Sequence, residues 1–148
     1  MPETAWPSYN CAMSTTAPDA TSHFAAAGLL LDALAAHDFA RVAAALDTDA
    51  TLSALLPRGF REWAGADAIA GAFETWFGDV DDFEVADASV GQVGALLQMR
   101  WRLRVGGGRF GAAQMVIEQH VYAATGKGGR IEKMSLLCSG FWPEHVND

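Results

Sequence analysis

Alternating apolar and polar residues dominate the second half of the chain and predict a β-sheet. Three long strands follow one another over residues 95–105, 109–123 and 130–142, separated by glycine-rich segments at 106–108 and 126–129. Valine, isoleucine and aromatic residues between such turns are typical of a half-buried antiparallel meander. The pattern therefore predicts three neighbouring strands at the centre of the fold.

Apolar residues at helical spacing mark the first half of the chain, together with a short strand pair. The predicted helices cover 18–36, 39–46 and 66–77, with Asp38 as the N-cap of the second and Gly78 ending the third. The strand pair covers 51–56 and 60–63, and a further strand at 83–90 leads into the meander.

This order of elements predicts an α+β fold in which three N-terminal helices pack on the concave side of a curved, mostly antiparallel sheet. Such a cone leaves a pocket under its helices. We interpret residues 18–143 as a single domain, residues 1–17 as a flexible N-terminal arm and residues 144–148 as a C-terminal tail.

The net charge and the cysteine spacing argue against several classes of binding partner. A chain of 148 residues with a net charge of −8 lacks the clustered basic residues that nucleic acid or an anionic membrane requires. The two cysteines, Cys11 and Cys138, have no metal-ligand spacing, so no metal site is predicted. A reduced cytoplasmic protein is the simplest interpretation of this cysteine usage.

Three short segments carry a resemblance to a known family. They read LDTDATL at 46–52, WAGADAI at 63–69 and GRIEKM at 129–134. Their order and spacing resemble the nuclear transport factor two-like superfamily, and within it the SnoaL-like polyketide cyclases and ketosteroid isomerases. The resemblance covers about residues 20–143. It implies a cystatin-like cone and a cofactor-free activity on a hydrophobic carbonyl or polyketide-like compound.

The resemblance also indicates where catalytic groups are expected. Isomerases of this type place an aspartate base where this chain has residues 53–55, and a tyrosine donor where it has Leu30 and Leu31. An acidic residue in the penultimate strand is matched by Glu118. Members similar to scytalone dehydratase use two histidines, of which His120 is the one on a predicted core strand.

The length of the first hairpin loop decides which face of the middle strand is inside. A two-residue loop at Gly107 and Gly108 pairs Val105 with Phe110 and places Glu118 opposite Leu97, on the inner face. A three-residue loop reverses the faces and sets the arginines of the preceding strand beside Glu118. We favour the shorter loop because it keeps those three arginines outside the cone.

In the second hairpin, a five-residue loop over 125–129 places Met134 opposite His120 and Leu136 opposite Glu118. With these two registers, Glu118 and His120 lie in an apolar bowl and are the candidate catalytic residues. Desolvation raises the pKa of a carboxylic acid, which suits general acid–base catalysis with His120 assisting. The alternative is a buried polar pair whose members satisfy each other. The candidate ligand-binding residues are Leu31, Phe60, Trp63, Phe73, Trp76, Phe77, Met99, Trp101, Val116, Met134, Leu136 and Cys138.

Three functional hypotheses follow. The first is a small-molecule enzyme that isomerises, cyclises or dehydrates a hydrophobic carbonyl compound. The second is a non-catalytic domain that binds a small hydrophobic ligand, and the third is a dimerisation module with a filled cone. In each case we expect a homodimer through the convex face, where Arg100, Arg102 and Arg104 would lie beside Met115 and Ile117.

Overall fold

The computed structural model describes residues 16–144, and its helices are rich in alanine. Helix α1 spans Thr16–Ala35, a 3-10 helix spans Phe39–Ala45, and helix α2 spans Ala66–Phe77. Alanine and leucine lose little side-chain freedom in a helix, which favours these segments. The Gly78 N–H donates a hydrogen bond of 2.7 Å to the Glu74 carbonyl oxygen and closes α2.

Within the described part of the chain, seven strands form one sheet. They are β1 Leu46–Leu56, β2 Gly59–Ala64, β3 Asp82–Val93, β4 Leu96–Gly106, β5 Gln114–Thr125, β6 Ile131–Cys138 and β7 Trp142–Pro143. The order across the sheet is β2-β1-β6-β5-β4-β3, and β7 pairs with β5. Strands β1 and β6 are parallel, whereas all other pairs are antiparallel. The predicted α+β class and mostly antiparallel sheet are confirmed.

The helices cover one face of the sheet, which we call the inner face. Helix α1 packs against β3 and β4, and α2 packs against β1 and β2. Successive residues of a strand point to opposite faces, and β4 has its apolar set inside. The inner residues of β4 are all fully buried: Leu97, Met99, Trp101, Leu103 and Val105. Each such side chain stabilises the fold by about 1.5–3 kcal/mol relative to an exposed position.

The break after α1 agrees with the prediction, whereas several other elements differ from it in type or extent. Helix α1 breaks as expected at His37, which adopts a left-handed φ of 54° and whose Nε2 lies 2.8 Å from the Phe77 carbonyl oxygen. The second helix is a 3-10 helix, and Asp38 makes no side-chain capping hydrogen bond. Strand β1 begins at Leu46 instead of residue 51, because Leu46 pairs in parallel with Ile131.

The predicted inner face of β5 is wrong. Val105 pairs with Met115 instead of Phe110, and Trp101 pairs with Gln119. This shift of five residues is odd, so it turns every side chain of β5 to the opposite face. Val116, Glu118 and His120 therefore lie on the outer face, and the buried residues of β5 are Ile117, Gln119, Val121 and Ala123.

The cause is the connection between β4 and β5, which is a structured loop over 107–113 and not a tight turn. A 3-10 turn at Gly108–Phe110 shapes the loop. Arg109 donates a hydrogen bond of 2.7 Å to the Trp76 carbonyl oxygen at the end of α2. Gly108 has φ of 54°, and a Cβ there would clash with the Asp79 carbonyl oxygen. The additional residues of this loop therefore contact the C-terminal end of α2 and the residues that follow it.

The β5–β6 register also differs from the predicted one, again by an odd number of residues. Met134 pairs with Ala123 instead of His120, and an irregularity follows the first pair, Thr125 with Ile131. Met134 and Leu136 nevertheless face inward and are buried, as predicted. The two register errors cancel for β6, so β5 is the strand whose faces are exchanged.

The predicted ends of the domain fall at the limits of the described residues. Most of the predicted arm, residues 1–15, lies outside them, and α1 already begins at Thr16. Residues 145–148 of the predicted tail also lie outside. Glu144, the first residue of that tail, is tied to the sheet by an ion pair of 2.8 Å with Arg104.

A pair of neighbouring substitutions on β5 tests the observed register. We expect Ile117→Ala to lower the free energy of unfolding by about 2–4 kcal/mol, because it leaves a cavity in the core. Val116→Ala, on the outer face, is expected to cost less than about 1 kcal/mol. Urea denaturation of both variants measures the difference, and a larger loss for Val116→Ala would contradict the observed faces.

Candidate functional site

Glu118 and His120 belong to an ion-pair array on the outer face. The distance between Glu118 Oε2 and His120 Nε2 is 2.7 Å, and Arg102 Nε donates to Glu118 Oε1 at 2.9 Å. A guanidinium nitrogen of Arg100 lies 3.7 Å from the same oxygen. The predicted placement of this pair in an apolar bowl is wrong, because the β4–β5 register puts both residues opposite the arginines of β4.

The electrostatic setting of Glu118 is also the reverse of the predicted one. Its hydrogen bond with His120 lowers the pKa of Glu118, partial burial opposes this effect, and Arg102 lowers the pKa further. The net result is a pKa below the usual value for glutamic acid. At neutral pH the group is therefore a carboxylate held by cationic partners and not a proton donor.

The array extends along β4 in both directions. Arg100 is bound to Asp87 of β3 at 2.6 Å, and this hydrogen bond lowers the pKa of Asp87. Arg104 contacts Glu84 of β3 at 2.9 Å and Glu144 at 2.8 Å. Exposed pairs of this kind contribute little to stability, because water and salt screen their attraction. The array is therefore a network of ion pairs on the outer surface of the sheet.

A cavity of about 630 Å³ lies elsewhere, at the end of the sheet near the C-terminus of α2. It opens between the β1–β2 turn, the end of α2, the β4–β5 loop and the segment that follows β6. Its apolar walls are Leu56, Pro57, Trp76, Ile117, Phe141 and Trp142, and its polar lining is Arg58, Arg61, Thr75, Arg109, Cys138 and Ser139. This volume is within the range of small-molecule pockets.

Aromatic and cationic contacts shape the wall of the cavity. Arg109 forms an ion pair with Asp79, and its guanidinium carbon lies 4.9 Å from the ring centre of Phe141. Trp142 donates a hydrogen bond of 2.8 Å to the Ser139 carbonyl oxygen. The Arg109–Phe141 contact holds the segment after β6 against the β4–β5 loop, whereas the Trp142 hydrogen bond stabilises that segment internally.

A buried polar chain lies beneath the cavity. Gln119 is fully buried; it accepts a hydrogen bond of 2.8 Å from the Trp101 indole and donates one of 3.4 Å to Cys138 Sγ. The backbone N–H of Gly140 donates to the same sulfur at 3.4 Å. Cys138 thus joins the buried chain to the cavity surface.

The candidate ligand residues are distributed over several environments. Trp76 and Cys138 line the cavity. Leu31 and Trp63 are partly buried against the core, Phe60 is exposed, and Val116 borders an outer cleft of about 230 Å³. The remaining candidates, Phe73, Phe77, Met99, Trp101, Met134 and Leu136, are buried in the core, so the predicted bowl around them is filled by their own side chains.

Several lining residues were not among the predicted ones. The arginines Arg58, Arg61 and Arg109 flank glycine-rich turns, and Phe141 and Trp142 follow the last long strand. Arginine next to a turn and a terminal aromatic pair are the signals that the sequence offers for them. Gln119 was missed because the predicted register placed it outside.

No cluster of metal-binding side chains and no membrane-spanning helix is found in the part of the chain that the structure describes. Among the side chains that the structure describes, those of residues 24–144, no group of three or more His, Cys, Asp or Glu is placed to hold a metal ion. Among the described residues, no helix has the length and hydropathy needed to cross a membrane.

The sequence matches one family model, the SnoaL-like domain, over residues 27–137. The chain therefore belongs to the SnoaL-like family, within the nuclear transport factor two-like superfamily. No match was found among curated proteins.

Solved structures with the same fold have diverse names. An LEH-like epoxide hydrolase from Mycobacterium tuberculosis is 21% identical, with 80% of this chain and 84% of that chain covered and a TM-score of 0.57. A polyketide cyclase candidate from Xanthomonas campestris pv. campestris is 13% identical, with coverages of 80% and 91% and a TM-score of 0.62. An uncharacterized cystatin-fold protein from Novosphingobium aromaticivorans is 16% identical, with coverages of 77% and 96% and a TM-score of 0.60. At these identities the similarity shows the fold.

The pKa of Glu118 generates a prediction about pH and stability. A lowered pKa in the folded state stabilises the fold at pH values above the ordinary value of 4.5, and this contribution disappears as pH falls through the lower, folded-state pKa. We expect Glu118→Gln to be less stable than wild type at pH 7 by up to about 1 kcal/mol. The difference should shrink on acidification below about pH 4, measured by urea denaturation.

Glu132→Gln provides the control, because Glu132 is an exposed acid of β6 outside the ion-pair array. Its stability relative to wild type should show little change over the same pH range. A difference for Glu118→Gln that grows as pH falls would contradict the lowered pKa.

Proposed function

We propose that this domain binds a small hydrophobic ligand in the cavity between α2, the β1–β2 turn and the segment after β6. The observation that carries the proposal is the cavity itself, with a volume of about 630 Å³ and walls that include Trp76, Phe141 and Trp142. Large aromatic side chains supply much apolar contact area with little loss of side-chain entropy. Such a lining favours a flat or polycyclic carbon skeleton.

Acid–base catalysis, the first hypothesis from the sequence, has weaker support. As far as side chains are described, over residues 24–144, the cavity lining contains no aspartate, glutamate or histidine. Glu118 and His120 lie on the opposite face of the sheet, in the ion-pair array. A catalytic role is the alternative, because some solved structures with the same fold are named as enzymes. These names do not decide the activity of this chain, since one fold carries many activities. Binding requires only groups that line the cavity, and we therefore prefer it.

An aromatic ketone tests ligand binding. We expect 2-acetylnaphthalene to bind the wild-type protein saturably, and Trp142→Ala to weaken its affinity by roughly 5- to 10-fold through the loss of an aromatic wall. Phe60→Ala is the matched control, because Phe60 is exposed to a similar extent (61% against 63%) and does not line the cavity. Fluorescence titration gives both affinities.

Equal losses for the two variants would contradict binding at this cavity. The absence of saturable binding for both this ketone and its carboxylate analogue would contradict the proposal as a whole.

We also propose that the outer face of the sheet joins two copies of the chain. Support comes from exposed apolar side chains on neighbouring strands: Leu55 of β1, Leu137 of β6 and Tyr122 of β5 are each about half exposed. Leu55 and Leu137 are direct partners in the ladder. The patch adjoins the ion-pair array, in which acids and arginines alternate, so a copy related by a two-fold axis can meet opposite charges. Met115 and Ile117, expected at this face, are on the inner side.

A charge placed in this patch tests the dimer. We expect the wild-type protein to sediment as a dimer and Leu137→Glu to sediment as a monomer, because an unpaired carboxylate is costly to bury in an apolar interface. Leu29→Glu is the control, since Leu29 is an exposed leucine of α1. A monomeric wild type, or equal dissociation of both variants, would overturn this assignment.

A further inference from the structure

The cavity differs in charge from the rest of the protein. The whole chain has 18 acidic and 10 basic residues, with a net charge of −8. The described lining of the cavity nevertheless contains three arginines, at positions 58, 61 and 109, and no acidic side chain. A basic cavity in an acidic protein concentrates positive potential where a ligand enters.

Arg109 is the fixed member of this group. Its charge is balanced by Asp79, and its second guanidinium nitrogen donates to the Trp76 carbonyl oxygen at 2.7 Å. The guanidinium carbon also lies 4.7 Å from the ring centre of Phe110. With its charge and donors engaged in this way, Arg109 builds the wall of the cavity and holds the β4–β5 loop.

Arg58 and Arg61 differ from Arg109 in their charge partners. Among the described side chains of residues 24–144, no ion pair joins either of them to an acidic group. The acidic neighbour Glu62 lies on the other face of β2, where it accepts a hydrogen bond of 3.2 Å from Ser53. Arg61 is positioned by the ring of Trp63, whose centre is 5.5 Å from the guanidinium carbon. By contrast, all three arginines of β4 are paired with acids.

We propose that the ligand of this cavity is an organic anion, namely an aromatic carboxylate whose acid group is bound by Arg58 and Arg61. This inference rests on the proposed binding function and specifies its ligand class. The ring system would lie against Trp76, Phe141 and Trp142, which line the same cavity. Guanidinium groups bind carboxylates through paired, charge-assisted hydrogen bonds. A bound anion also relieves the repulsion between two arginines that line one cavity.

Two naphthalene derivatives of the same shape separate charge from hydrophobicity. We expect 2-naphthoate to bind wild type at least about 10-fold more tightly than the neutral ketone 2-acetylnaphthalene, because only the carboxylate makes charge-assisted hydrogen bonds. The advantage of 2-naphthoate should decrease as the NaCl concentration rises. Isothermal titration calorimetry at low salt measures both affinities.

Arginine substitutions assign the effect to the cavity. Arg58→Gln and Arg61→Gln should each weaken 2-naphthoate binding by roughly 10-fold and change the affinity for the ketone less than about 2-fold. Arg130→Gln is the control, because Arg130 is an exposed arginine outside the cavity. All three side chains are exposed, so a melting temperature within a few degrees of wild type is expected and verifies folding.

The outcomes distinguish this inference from the function on which it rests. If neither compound binds, both are overturned. If the ketone binds as tightly as the carboxylate, or if Arg130→Gln loses as much affinity as Arg61→Gln, only the assignment of an anionic ligand to these two arginines is overturned.

Discussion

The pairing of Trp101 with Gln119 is the constraint on which the rest of the sheet depends. The two residues are direct partners on β4 and β5, both are fully buried, and the indole donates to the amide oxygen at 2.8 Å. Buried polar groups are costly unless they are hydrogen-bonded, so this contact penalises any slip of β5 by one residue. Such a slip would also place Glu118 and His120 in the core. The register therefore places Gln119 and the apolar residues of β5 on the inner face, and Glu118 and His120 on the outer face.

As a consequence, two groups of arginines can be distinguished among the described side chains, those that form ion pairs with acids and those at the cavity that do not. On the outer face, arginines of β4 alternate with acids of β3 and β5, and their charges are neutralised in place. At the cavity, Arg58 and Arg61 have no acidic partner among the described side chains, those of residues 24–144, although the chain as a whole is acidic. Paired charges mainly shape a surface, whereas unpaired ones are free to bind a ligand.

Membership of the SnoaL-like family settles the fold more than the site. The order of elements and three short segments carried the resemblance, and the family model matches most of the chain. The resemblance to the family matched Glu118 to an acidic residue of the penultimate strand, and the sequence interpretation therefore placed this acid on the inner face. In the structure, His120 and two arginines contact that carboxylate on the outside. Membership of the family therefore does not fix the environment of Glu118, because a fold does not dictate a site.

The sequence by itself determined the α+β class, most strands, the inner faces of β4 and β6, and the outward direction of the arginines of β4. These features depend on local periodicity and on the cost of burying charge, which any register must respect. Only the tertiary structure decided the faces of β5 and the place of the cavity. The loop between Gly106 and Gln114 takes its length from the contacts of Arg109 with Asp79 and Trp76 at the end of α2. Those contacts join residues about thirty positions apart, so no local pattern encodes them, and an odd change in loop length reverses a strand.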